Sequence, residues 1–96
     1  MGLPERDLKI VQQVFGEFPE IKTATLFGSR AMGNAKKGSD VDIALKGDLN
    51  PSVINRIKDR LEEETDLPYF FDIVDHNAIQ SEDLLEHIKE HGQAIE

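Results

Sequence analysis

The sequence contains no cysteine and no tryptophan. Without cysteine there are no disulfides and no thiolate metal ligands, so any metal bound here must take oxygen or imidazole donors. No apolar run approaches the roughly 20 residues a membrane helix needs, and the N-terminal residues lack the apolar core of a signal peptide. The expectation is a cytoplasmic protein. Positive charge is also scarce: 11 Lys and Arg stand against 19 Asp and Glu, a formal net charge of −8. Such a balance argues against direct nucleic-acid binding, which needs clustered cations to displace counterions. A polyanionic ligand would need compensation from metal ions or a few placed cations, and a basic protein partner is the other natural consequence of the charge.

What is present is ordinary for a globular domain. Hydrophobic residues make up 39% and charged residues 31% of 96 residues, enough for one domain spanning 1–96 and no second. A chain of this size buries about 60–65% of the surface its unfolded form exposes. So modest a core leaves room for a homo-oligomer or a partner to add stability.

Leu8, Val11, Val14, Phe15 and Phe18 recur at helical spacing, predicting a helix over Pro4–Phe18 that Pro19 ends. The β-rich Ile21–Phe27 reads as a strand stopping at Gly28, Ser29–Gly33 as a helical turn, and Asn34–Ser39 as a polar loop. Val41–Leu45 is a second strand closed by Gly47. Asn50 can cap a helix with Pro51 at its first position and Ile54, Ile57 and Leu61 as its stripe; Glu62–Glu64 reads as its solvated end. Tyr69–Val74 is a third strand, and Ser81 can cap a last helix that stops near Gly92. The order predicts an α/β (α+β) domain with a small mixed sheet of about three strands and helices packed on it. The short link between the first two strands permits either direction, whereas a parallel crossover needs a dozen or more residues.

The chemistry concentrates in two segments. Asp40 and Asp42 are two apart, so in a strand they project to one face. Adjacent carboxylates repel and are expensive to desolvate, which a divalent cation between them would relieve. Oxygen donors of this hardness suit Mg²⁺ or Mn²⁺, and Mg²⁺ commonly pairs one or two carboxylates with substrate phosphates. Upstream, Gly28 permits close backbone approach, and Ser29 with the N–H groups of the turn can hydrogen-bond phosphate oxygens. Phosphate donors followed by ligands for the counter-ion describe a metal-bound nucleoside triphosphate.

Gly28-Ser29, ten intervening residues, then Asp40-Val41-Asp42 resembles the signature of the DNA polymerase β-like nucleotidyltransferase superfamily. Within it, the chain looks like the minimal nucleotidyltransferases, the MNT proteins often paired with HEPN-domain proteins in toxin–antitoxin systems. Either half of the pattern alone is weak; both at this spacing between strands are specific. The resemblance covers essentially the whole chain and implies the polymerase β-like fold, with a third acidic residue on a later strand. Asp72, flanked by Phe71 and Ile73, matches that place better than Asp75. It implies two-metal displacement at the α-phosphorus of an NTP, with Asp40, Asp42 and Asp72 as metal ligands and Gly28, Ser29 and Arg30 on the nucleotide. The implied activity is transfer of AMP from ATP to a hydroxyl of a HEPN ribonuclease toxin, this chain being the antitoxin. Two alternatives stay open: an acidic module neutralising its partner by contact, and nucleotidyl transfer to a small molecule.

Other residues read more plainly. Arg30 fits a phosphate clamp and a solvated first-turn residue equally, and Lys36 and Lys37 read as a solubilising loop pair. His76, His87 and His91 lack convergent ligand spacing, so the sequence assigns them no function.

Overall fold

The first helix, α1, runs from Glu5 to Gly16 with Pro4 as its N-cap, and it buries Val11, Val14 and Phe15. The computed structural model describes residues 2–36 and 38–95. Strand β1 (Ile21–Phe27) leads into a short helix, α2 (Gly28–Met32), closed by Gly33 at φ 76°. After the loop comes β2 (Val41–Gly47), antiparallel to β1, with Leu26 opposite Ile43 and Phe27 opposite Asp42. Helix α3 (Pro51–Glu63) begins where Asn50 predicts: its side chain accepts from the Val53 N–H at 2.9 Å. It carries the chain back to β3 (Phe71–Asp75), parallel to β2 and in register with Asp42 beside Asp72. A 3-10 turn (His76–Ala78) and α4 (Glu82–His91), capped by Ser81, return the chain to β1. There Gln93–Ala94 adds β4 antiparallel to β1, giving the strand order β3-β2-β1-β4.

The sheet is therefore mixed, as expected, with four strands rather than about three. The extra strand is two residues long, too short for any periodicity to announce. The third strand starts two residues later than Tyr69 and includes Asp75. Tyr69 and Phe70 are β-prone but lie ahead of the paired segment, although the Phe70 carbonyl already accepts from the Val41 N–H.

Side chains alternate across the sheet. Val41, Ile43 and Leu45 join Val11, Val14, Ile57 and Leu61 of α1 and α3 in the main core. On the opposite face Phe27, Ala44 and Ile88 form a small second cluster under α4, with Val74, Ile79 and Leu84 at its margin. Asp42 and Asp72 share the parity of Ala44 and Val74, so they lie on this thinly covered face.

Candidate active site

Gly28 lies at φ 74°, in the left-handed region that glycine enters without strain. A Cβ there would come 2.2 Å from Asp42 Oδ2. The glycine thus admits the carboxylate of the next strand against the backbone of the turn. Ser29 follows, half-buried, its carbonyl closing the turn by accepting from the Asn34 N–H at 3.2 Å.

Asp42 is half-buried near the start of β2, while Asp40 just ahead of the strand and Asp72 beside Asp42 on β3 are exposed. The Asp42 carboxyl titrates above the usual carboxylate range. Burial is the main cause, and repulsion from Asp72 and then Asp40 adds to it. Asp72 and Asp40 thus both act on Asp42 at this end of the sheet, and three carboxylates are an oxygen donor set suited to a hard divalent cation. Among the described residues no three carboxylates or imidazoles already converge as a metal cluster. Asp75 is engaged elsewhere, since its side chain accepts from the Asn77 N–H at 3.0 Å and caps the 3-10 turn.

The Arg30 guanidinium is half-buried and committed to the protein. Its Nε and Nη2 donate to the Ser39 carbonyl at 3.2 and 2.9 Å, and its Cζ lies 4.5 Å above the Tyr69 ring. Tyr69 in turn donates its hydroxyl to the buried Asp7 of α1. Burial first, then the bond to Asp7, pushes the tyrosine hydroxyl above its ordinary pKa. This chain of contacts fixes the loop immediately ahead of Asp40. Lys36 is exposed with its N–H bonded to Ser39 Oγ at 2.9 Å, and Lys37 lies outside the described residues.

His87, to which the sequence assigns no function, stands against the glycine turn. Its Nε2 accepts from the Gly28 N–H at 2.9 Å, and its ring meets Phe27 edge-on with centroids 6.3 Å apart. The available signal was positional, since His87 stands three residues after Leu84 within the inward stripe of α4. Glu62 also departs from expectation. Rather than a solvated helix end, it is half-buried and accepts from the Phe71 N–H at 2.7 Å, covering the first outward donor of edge strand β3.

A glycine-serine turn against an Asp-x-Asp strand, with a third aspartate in register beside it, is now in place. The polymerase beta nucleotidyltransferase family matches residues 9–96. The chain belongs to this family. A Haemophilus influenzae relative, the probable protein adenylyltransferase MntA, is 36% identical over 92 residues, covering 93% of this chain and 78% of that protein. A crystal structure of a toxin–antitoxin with AMP-PNP aligns at a TM-score of 0.73 and 23% identity over 98% of this nucleotidyltransferase and 73% of that chain. A tri-AMPylated Shewanella oneidensis HEPN toxin in complex with MNT antitoxin aligns at 0.71 and 19% identity, covering 100% and 72%. At those identities the two structures speak for the fold.

Among the described residues no helix is long and apolar enough to cross a membrane. A groove of about 650 Å³ lies at the far end of β2 and β3 from Asp40, lined by Leu49, Ile54, Val74, Ile79 and Leu84 among others. Its apolar walls carry little that could hold a triphosphate, so the concavity and the chemistry occupy different ends of the strands.

Proposed function

We propose that residues 1–96 form one catalytic unit that transfers AMP from ATP to a hydroxyl of a HEPN-domain partner and thereby acts as an antitoxin. The observation that carries the reading is the in-register pairing of Asp42 with Asp72, beside a glycine at φ 74° whose Cβ would lie 2.2 Å from Asp42 Oδ2. The relationship to MntA supplies adenylyl transfer as the reaction and a protein as the acceptor.

In this reading Asp40, Asp42 and Asp72 hold Mg²⁺ or Mn²⁺, two ions in all. The elevated pKa of Asp42 comes first from burial and then from Asp72 and Asp40, and the repulsive part is what a bound cation would relieve. When bound, the ions supply positive charge to the entering and leaving oxygens at the α-phosphorus. Ser29, beside the Gly28 backbone, holds the triphosphate. Arg30 takes part through its proximity to the turn and by anchoring Ser39, which sets the approach of Asp40. The acceptor oxygen forms a bond to the α-phosphorus, the bond to pyrophosphate breaks, and Asp72 helps remove the acceptor proton. Dependence on ATP leads us to place the reaction in the cytoplasm.

The test is incubation of the chain and its HEPN partner with α-labelled ATP and Mg²⁺ or Mn²⁺. Label is expected on the partner, with loss of its nuclease activity. No transfer with either metal overturns the proposal. An Asp42→Ala variant that binds the partner and still silences it fully would instead establish neutralisation by contact.

A further inference from the structure

Gly28 presents a physical problem. The close approach of Asp42 requires a glycine there, yet glycine is the residue whose backbone is least constrained. A turn that must present Ser29 beside Asp42 therefore needs a restraint from outside. His87 supplies one. Its Nε2 accepts from the Gly28 N–H at 2.9 Å across 59 residues of sequence. An accepting Nε2 means a neutral imidazole with its proton on Nδ1. Ring packing against Phe27, the residue preceding the glycine, and against His91 at 5.4 Å orients the imidazole for that bond.

The contact matters more because α4 is lightly held. Among the described residues, the cluster under it contains three buried side chains, against seventeen in the core on the other face. Of the helix itself only Ile88 is buried. Three elements thus meet at one peptide: α4 through its imidazole, the β1–α2 junction through its N–H, and β2 through the Asp42 carboxylate.

We infer that His87 is a positioning residue of the nucleotidyl-transfer site, locking the Gly28 peptide so that Ser29 faces the triphosphate in register with Asp42. The inference rests on the nucleotide reading above. It also divides the backbone donors of the turn: the Gly28 N–H is spent within the protein, and the triphosphate is met by Ser29.

Two variants separate the lock from simple packing. His87→Phe keeps a ring against Phe27 and removes the acceptor, while His87→Gln restores an acceptor without the ring. Binding of AMP-PNP with Mg²⁺, measured by calorimetry on the full chain, should weaken roughly tenfold in His87→Phe and recover most of that loss in His87→Gln. Both variants should melt within about 5 °C of wild type. A folded His87→Phe that binds as tightly as wild type, or a folded His87→Gln as weak as His87→Phe, overturns the lock. Should the variants not fold, nitrogen-15 NMR of the wild-type chain decides. His87 should keep a protonated Nδ1 and an unprotonated Nε2, and the Gly28 amide should stay protected, before and after AMP-PNP is added. Loss of that protection on binding overturns the inference. Wild type that fails to bind AMP-PNP overturns the nucleotide reading and the lock with it, whereas equal binding by wild type and His87→Phe removes only the lock.

Discussion

At the scale of single residues, Asp42 sets function against stability. Its carboxyl is raised from a reference of 3.8 by burial, Asp72 and Asp40, so the native state holds that proton more tightly than the unfolded chain does. The proton therefore favours the fold at low pH, and this contribution is lost as pH rises from the unfolded value through the higher folded one. Asp42→Asn should therefore raise the melting temperature at neutral pH and flatten its dependence on pH across the acid range, read by thermal melts from about pH 3 to about pH 7. If Asp42 holds a metal as proposed, the same variant should reduce AMP transfer by at least about 100-fold, because removing a ligand does no less harm than removing its outer partners. Gly28→Ala should behave oppositely. It places a methyl 2.2 Å from Asp42 Oδ2 at a φ of 74°, and the backbone conformation alone costs roughly 1–2 kcal/mol. Denaturant titration should register at least that loss.

At the scale of elements, β3 is the vulnerable part, since it is an edge strand paired only with β2. Glu62 protects its start by accepting from the Phe71 N–H. Glu62→Ala should destabilise the fold by about 1–3 kcal/mol in denaturant unfolding, the penalty for a partly buried donor without a partner. Glu62→Gln, which keeps an acceptor oxygen, should lose far less. Elements also differ in how openly the sequence announces them. Helix α3 was legible to the residue at its start because Asn50 and Pro51 are local signals that act within one turn. The limits of β3 were not, because Tyr69 and Phe70 have strand-like side chains while pairing alone decides where a strand begins. Strand β4 exists only because α4 returns the chain to β1, which no property of Gln93 and Ala94 encodes.

At the scale of the whole molecule, a formal charge of −8 includes three carboxylates near one end of the sheet, where burial and then repulsion from Asp72 and Asp40 raise the Asp42 carboxyl. Divalent cations should therefore stabilise the protein by binding the native state. At about 100 times the dissociation constant the gain is about 2.7 kcal/mol for one site, seen as a rise in melting temperature with Mg²⁺ or Mn²⁺. Asp42→Asn should abolish most of that rise while leaving the salt response of the remaining surface intact. Surface ion pairs add little to this balance. Arg60 of α3 grips Glu17 after α1 through two bonds of 3.0 and 2.9 Å, yet such exposed contacts are worth about 0–1 kcal/mol.

The amino-acid order alone contained the identity of the candidate site: Gly28-Ser29, Asp40-Val41-Asp42 and Asp72 between Phe71 and Ile73. Those signals are local, because strand parity and the freedom of glycine are properties of a few adjacent residues. The tertiary fold decided which distant groups complete it. It brought Asp72 into register with Asp42, laid Arg30 across Tyr69 and Tyr69 onto Asp7, turned Glu62 inward, and set His87 on the Gly28 peptide. Each of these joins groups well separated in sequence, and their meeting depends on how helices settle on the two faces of the sheet. Periodicity assigns a residue to a face, but only packing selects what stands opposite it.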